Sequence, residues 1–181
     1  STPLGSNFVN PVVLVIATLL LGSFTVTLRI HLGYFLLSLF VTAIMAGSFF
    51  YLPEKQYPVW IGVVLTLSLL LFYNRPKEED GESEPEDQIP RLWFLPALVT
   101  LTGAGYLLDP VVSFTSEASA ASKDLIGFTV LSFLSSWPEF KTIFALVSRQ
   151  KYSAGILNTI TSNIINLWLA VGGLTVYLIL A

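Results

Sequence analysis

Long apolar runs are the feature of this chain that most constrains its fold. Several of them exceed the roughly 18 residues that mark a membrane-spanning helix. A helix satisfies its own backbone hydrogen bonds, which a chain crossing lipid must do. Of the 181 residues, 54% are hydrophobic and only 12% are charged, whereas a soluble domain carries about a quarter charged residues. The sequence therefore predicts an all-α, multi-pass integral membrane protein whose main surroundings are the lipid bilayer.

Hydropathy divides the chain into six predicted transmembrane helices. Their approximate ranges are 8–28, 32–52, 58–74, 92–114, 124–148 and 153–180. Between the third and fourth lies RPKEEDGESEPEDQIP (75–90), a segment too rich in Glu, Asp and Pro to form a core. The predicted organisation is three helices in residues 1–74, an acidic linker in 75–91, and three helices in 92–181.

The basic residues between the predicted helices indicate an orientation. Six fall at odd-numbered connections and two at even-numbered ones. The two sets are Arg29, Arg75, Lys77, Arg91, Arg149 and Lys151, against Lys55 and Lys123. Because basic residues concentrate on the cytoplasmic side, the acidic linker is predicted to be cytoplasmic and both ends of the chain external. The same bias argues against insertion in both orientations.

Composition excludes several other classes of function. The net charge of −3 comes largely from the acidic linker, so no nucleic-acid partner is predicted. The chain has no cysteine, which excludes disulfides and thiolate metal sites. No catalytic residue and no cofactor is predicted, and the single histidine, His31, is interpreted as an interfacial residue. Since the chain begins with Ser rather than Met, a processed chain, a fragment and a trimmed chain are all open.

The fifth predicted helix carries polar residues that are costly in lipid. In GFTVLSFLSSWPEF, Ser135 and Glu139 are four residues apart and share a helix face, with Ser136 beside them. Pro138 lacks an N–H and leaves the carbonyl four residues earlier without its helical donor. Carbonyl, hydroxyl and carboxylate oxygens are the ligands of hard cations such as Ca²⁺. The structural alternative is a proline kink whose Glu139 is protonated or paired with a lysine, although intramembrane carboxylates usually mark functional sites.

The sixth predicted helix has a polar face. In NTITSNIIN, Asn158, Ser162 and Asn166 lie at positions i, i+4 and i+8. Taken alone, this amide and hydroxyl face is equally typical of contacts that hold membrane helices together. Comparison with the start of the chain favours a second interpretation of this polar face.

A short internal repeat links the two ends of the sequence. GSNFVN (5–10) and TSNIIN (161–166) both read x-Ser-Asn-x-x-Asn before a long apolar run, 156 residues apart. Ser6 and Asn10 are thereby the counterparts of the serine and the last asparagine of the second segment. Such repeats are typical of transporters built from two related halves.

At these residues the sequence resembles the second α-repeat of the cation/calcium exchanger superfamily, best known from the sodium/calcium exchangers. The family pattern is approximately G-x-T-x-x-A-x-G-T-S-x-P-E followed by G-N-x-x-G-S-N-x-x-N/D. The matching positions are Gly127, Thr129, Ser136, Pro138, Glu139, Asn158, Ser162, Asn163 and Asn166. The usual Ala, Gly, Thr and Gly are replaced by Ser132, Leu134, Ser135 and Thr161. The resemblance implies helices three to eight of a ten-helix exchanger fold with two repeats of inverted topology.

The resemblance also implies a function and a site. The function is secondary active antiport, by this chain or by a protein of which it is a fragment or subunit, of Ca²⁺ in exchange for Na⁺ or H⁺. Glu139 and Asn166 would be calcium ligands, and the neutral oxygens would come from Ser135, Ser136, Ser162, Ser6 and Asn10. A complete site in this family has two facing glutamates. The second is therefore expected from a missing repeat segment, in a longer chain or partner subunit, or from a homodimer, and this chain alone is not expected to transport.

Two other functions stay open at this point. The first is a non-transporting membrane scaffold or regulatory subunit with a degenerate repeat, which the missing second glutamate and the bulk of Leu134 and Thr161 favour. The second is a cation channel in which several copies surround a pore lined by Glu139 and the Ser/Asn face. The counter-ion, Na⁺ or H⁺, is not decided by the residues.

Overall fold

The computed structural model describes residues 2–77 and 94–180. Within these ranges the chain is helical and contains no β-strand, which confirms the all-α prediction. Most of the predicted acidic linker falls on residues 78–93, outside the described residues, together with Arg91. Its solvated character and its cytoplasmic position stay predictions.

Residues 2–77 contain four α-helices. They are α1 (Thr2–Leu20), α2 (Phe24–Arg29), α3 (Leu32–Ser48) and α4 (Tyr57–Tyr73). Between α3 and α4 lie two 3₁₀ turns, Phe49–Tyr51 and Glu54–Gln56. The turn after α1 passes through Gly22, whose φ of +66° is left-handed and suits a residue without Cβ.

The second half contains one long helix, a series of short helical pieces and a second long helix. The elements are α5 (Phe94–Ser119), α6 (Lys123–Ile126), a π-helical segment (Gly127–Leu131), α7 (Ser132–Ser135), α8 (Trp137–Ser148) and α9 (Tyr152–Leu180). The side chain of Ser122 caps α6 by accepting from the N–H of Leu125 at 3.2 Å. The series α6 to α8 replaces the single fifth helix of the sequence prediction.

Four helical stretches of the described residues are long and apolar enough to cross a membrane. They are Thr2–Leu20, Leu32–Tyr51, Glu54–Tyr73 and Tyr152–Leu180. The two other predicted spans, 92–114 and 124–148, correspond to α5 and to the series α6 to α8, whose longest piece has 12 residues. The protein is thus an integral membrane protein with four candidate spans among residues 2–77 and 94–180, while the count of six and the inverted repeat stay predictions.

Helices α1 and α9 form the centre of the fold and run antiparallel. Leu4, near the start of α1, packs with Leu167 and Val171 of α9, and Ala17 near its end packs with Ile156 and Ile160. Helices α3 and α4 pack on α9, and α8 packs on both central helices. The two apolar clusters lie on either side of a polar layer that contains both Ser-Asn segments.

The ends of α9 are tied to two different connections. Near its first turn Ser153 hydrogen-bonds His31, in the turn before α3, at 3.3 Å. Near its last turn the hydroxyl of Tyr177 meets Glu54, in the turn before α4, at 3.5 Å. These contacts group the connections into two sets at opposite ends of the bundle, as a series of alternating membrane passes requires.

Candidate functional site

The helix that carries Glu139 is broken beside it, as Pro138 predicts. Ser136 has φ −84° and ψ 2°, outside helical geometry, and separates α7 from α8. Pro138 lies in the first turn of α8, where its missing N–H costs no intrahelical hydrogen bond. The π-helical segment precedes α7, and such segments are frequent at functional sites. The break places backbone and side-chain oxygens inside an otherwise apolar region.

The start of α1 approaches this broken helix very closely. A Cβ atom on Gly5 would lie 2.0 Å from the carbonyl oxygen of Phe128 and 2.2 Å from the hydroxyl of Ser132. The Ser132 hydroxyl donates to the Thr2 carbonyl at 2.7 Å. Glycine is therefore needed in the first segment, because any side chain would push α1 away from the break.

Ser6 and Ser135 meet at this approach. Their hydroxyl oxygens are 3.1 Å apart, across α1 and α7. Ser6 is buried, whereas Ser135 is exposed at the surface of the described chain. The first Ser-Asn segment thus contacts the Pro-Glu segment directly.

Glu139 is half-buried and contacts α9. Its Oε1 accepts from the Ser162 hydroxyl at 3.3 Å. Its Oε2 is buried and has no hydrogen-bond partner among the described residues. One carboxylate oxygen is therefore held in place by α9 while the other stays available as a ligand.

Asn10 joins the first segment to the second. Its Nδ2 donates to the Ser162 hydroxyl at 3.2 Å and to Oδ1 of Asn163 at 3.0 Å. Asn10 is completely buried, and its own Oδ1 has no partner among the described atoms. Glu139, Ser162 and Asn10 consequently form one hydrogen-bonded series across α8, α9 and α1.

The two remaining predicted residues lie outside this series. Ser136 is buried at the break, and its hydroxyl has no partner in the described part of the chain. Asn166 is half-buried, and its Nδ2 is likewise without a partner there. The structure therefore joins five of the seven predicted residues in two sets, and hydrogen-bonds Ser136 and Asn166 to neither.

Sequence reasoning missed two residues of the polar layer. Asn7 and Asn163 are both buried, and Nδ2 of Asn163 donates to the backbone carbonyl of Asn7 at 3.2 Å. They occupy the same position in the two Ser-Asn segments, which was the available signal. Both side-chain polar atoms of Asn7 lack a partner among the described residues.

The unpaired oxygens show what the site can do chemically. The buried atoms Oε2 of Glu139, Oδ1 of Asn10 and Oγ of Ser136 have no donor among the described residues. A carboxylate, an amide oxygen and a hydroxyl are suitable ligands for a hard cation. No group of three or more His, Cys, Asp and Glu side chains comes together in residues 2–77 and 94–180. These three atoms are oxygens of the kinds that bind a hard cation, one of them on a carboxylate and two on neutral groups.

Comparison with known proteins identifies the second half of the chain. Residues 92–179 match the family model described as sodium/calcium exchanger protein. The match spans α5 through almost all of α9 and therefore includes the Pro-Glu break and the second Ser-Asn segment. No curated protein and no solved structure gives a significant match.

Proposed function

We propose that this chain, whose residues 92–179 match the sodium/calcium exchanger family model, is a member of the cation/calcium exchanger superfamily and acts as a secondary active cation antiporter. The family is one of transporters, not of enzymes. The proposed cargo is Ca²⁺, exchanged for Na⁺ or H⁺. The assignment of cargo and direction rests on the donor set of the site and on the resemblance of its motifs.

The observation that carries the proposal is the hydrogen-bonded series Glu139–Ser162–Asn10. The carboxylate of the Pro-Glu segment accepts from Ser162 of the second Ser-Asn segment, and the same Ser162 hydroxyl accepts from Asn10 of the first, 152 residues earlier in the chain. Two helices from opposite ends of the sequence thereby share one oxygen-rich site. A proline kink kept only for packing would not need a carboxylate bonded to α9 and, through Ser162, linked to α1.

The chemistry of a single carboxylate suits exchange. In a medium of low dielectric constant an isolated carboxylate is costly to ionise, so it holds either a cation or a proton. The ions compete for Glu139, and neutral oxygens from Asn10 and Ser136 complete the coordination of whichever metal ion is bound. Movement of the empty, charged site across the membrane is disfavoured, and this couples the two fluxes.

The bulk of Leu134 and Thr161 does not favour the scaffold alternative once the contacts are known. The side chain of Leu134 is 61% exposed, so it does not crowd a described helix. Thr161 lines an open groove of about 810 Å³ between α4, α8 and α9. Neither replacement fills the space occupied by the polar series.

We also propose that the site is completed by a second acidic ligand. Glu139 is the one carboxylate in the hydrogen-bonded series, whereas a divalent cation favours more than one negative charge. The ligand would come from a further repeat segment, in a longer chain or a partner subunit, or from a second copy of this chain. The mass of the species purified from its membrane distinguishes these sources.

The test of the proposed function is a measurement of Ca²⁺ exchange. The species purified from its membrane is reconstituted in liposomes, and Ca²⁺ uptake is measured with an outward Na⁺ or H⁺ gradient, with a membrane potential alone, and with neither. Antiport requires the ion gradient, a channel responds to potential alone, and a scaffold gives no flux. Glu139→Gln should abolish uptake, and the matched control Glu117→Gln, at an exposed position of α5, should not.

A further inference from the structure

Pro11, in the middle of α1, leaves the backbone carbonyl of Asn7 without its helical hydrogen-bond donor. In an α-helix the N–H of residue 11 would donate to the carbonyl of Asn7, but proline has no N–H. The ring also pushes this carbonyl outward from the helix axis. Inside a membrane protein a carbonyl freed in this way needs a donor from a neighbouring element.

Asn163 supplies that donor. Its Nδ2 lies 3.2 Å from the Asn7 carbonyl oxygen, and its side chain is almost fully buried. The counterpart of Pro11 in the second Ser-Asn segment, 156 residues later, is Leu167, which retains its N–H. Only the first segment therefore has a backbone carbonyl without its helical donor. In the contact between the two segments, the second segment supplies the donor and the first supplies the acceptor.

This contact sets the orientation of two amide groups. The two ends of an Asn side chain are nearly equal in shape, so the hydrogen bonds decide which end points where. Since the Asn7 carbonyl accepts only, Asn163 presents Nδ2 to it and turns Oδ1 toward Asn10. Asn10 donates from its own Nδ2 to Asn163 Oδ1, at 3.0 Å. The same Nδ2 reaches the Ser162 hydroxyl at 3.2 Å.

The consequence for Asn10 is that its oxygen is the free end. Nδ2 is committed to two acceptors, while Oδ1 is buried without a partner among the described residues. In the opposite orientation Asn10 would present an NH₂ group, whose partial positive charge repels a cation. The donor and acceptor roles in these hydrogen bonds therefore decide whether Asn10 presents an oxygen or an NH₂ group to a cation.

We infer that Pro11 and Asn163 are positioning residues, which orient the Asn10 amide so that its oxygen faces the transported cation. The inference rests on the proposed function for the identity of the ligand. Pro11 acts through the Asn7 carbonyl and Asn163 acts through its amide. Neither residue touches the cation.

The first test is Pro11→Ala, with Ca²⁺ alone as the probe. Ala restores the helical N–H, which competes with Asn163 for the Asn7 carbonyl. Half-saturation for Ca²⁺, measured from its stabilisation of the purified protein against heat, should weaken about two- to tenfold, the factor expected for one hydrogen bond. The cation-free protein should be equally or more stable, because proline is removed from a helix interior. General damage to the fold would lower both quantities together.

A double-mutant cycle identifies the route by which Pro11 acts. Asn163→Leu should weaken Ca²⁺ binding by itself, and Pro11→Ala added to it should cause no further loss. Additive losses would overturn the inference, and so would unchanged binding in Pro11→Ala. The matched control is Pro110→Ala in α5, which removes a helical proline outside the polar layer and should leave binding unchanged.

The cycle also separates this inference from the proposed function. If the parent protein responds to Ca²⁺ and Glu139→Gln removes the response, only the behaviour of Pro11 and Asn163 decides the inference. If the parent protein shows no response to Ca²⁺, Na⁺ or pH, the proposed function is wrong and the inference is wrong with it. Coupling between the two substitutions in cation-free stability supports the hydrogen bond itself, and its absence contradicts it.

Discussion

The hydroxyl of Ser162 lies 3.3 Å from Oε1 of Glu139, between α9 and α8. The counterpart of Ser162 in the first segment, Ser6, lies 3.1 Å from the hydroxyl of Ser135 on α7. Equivalent serines of the two segments therefore hold the broken helix on both sides of its break. Replacement of Ser162 therefore removes a contact to α8, whereas replacement of Ser6 removes a contact to α7.

Ser162→Ala should weaken Ca²⁺ binding without unfolding the protein. It removes the donor to Glu139 Oε1 and an acceptor for Asn10, so half-saturation should rise about two- to tenfold. Ser162→Thr keeps the hydroxyl and should restore most of the affinity. The control on the same helix is Thr175→Val, whose hydroxyl bonds only its own helix, at the Val171 carbonyl. Equal affinities for Ser162→Ala and the parent protein would contradict a role for this contact.

Asn10→Leu should destabilise the cation-free protein. Leucine is of similar size, but it leaves the buried Oδ1 of Asn163 without a donor, which costs about 1–3 kcal/mol. The free energy of unfolding is measured in detergent without added cations. Asn158→Leu, at a half-buried position on α9 away from the contact between Asn10 and Asn163, is the control and should change stability by about 0.5 kcal/mol or less. A similar small change for Asn10→Leu would show that the amide layer is not tightly packed.

Gly5→Ala should separate α1 from the π-helical segment. The added Cβ would lie 2.0 Å from the Phe128 carbonyl oxygen, and relief of that overlap costs about 1–3 kcal/mol. Loss of the Ser6–Ser135 contact and of cation binding should accompany the loss of stability. Gly62→Ala in α4 has open space around its Cβ and should be neutral or stabilising. If the two substitutions behave alike, the close approach is not present in the membrane.

The orientation predicted from the basic residues is testable because the chain has no cysteine. Single cysteines in place of Gln56 and Asn74 lie near opposite ends of the span Glu54–Tyr73, at exposed positions. In intact cells a membrane-impermeant thiol reagent should label Gln56→Cys, since the connection before α4 is predicted to be external. Asn74→Cys should be labelled only after permeabilisation. The reverse pattern would invert the topology, and labelling of both in intact cells would indicate dual insertion.

Several properties could be predicted from the sequence because they depend on local chemistry. Apolar runs determine helices in lipid, since no other open structure satisfies the backbone there. Pro138 favours a helix boundary, and the structure has α8 begin at Trp137, although Pro11 and Pro110 lie inside helices. The Ser-Asn repeat marked both segments that meet in the polar layer. Pro138 indicated a disturbed backbone in the fifth helix, but the division of that helix into α6, a π-helical segment, α7 and α8 was not predicted.

Other properties were decided only by the tertiary structure, because they depend on which atoms of distant segments meet. Pro11 leaves the Asn7 carbonyl without a helical donor, and the residue that donates to it instead, Asn163, is 152 positions after Pro11. No local pattern connects Pro11 to Asn163. Asn7 and Asn163 carry no sign of their role beyond their place in the repeat. Local sequence determined the helices, the break and the polar residues, while the antiparallel packing of α1 and α9 decided which of their oxygens are paired and which have no partner among the described residues.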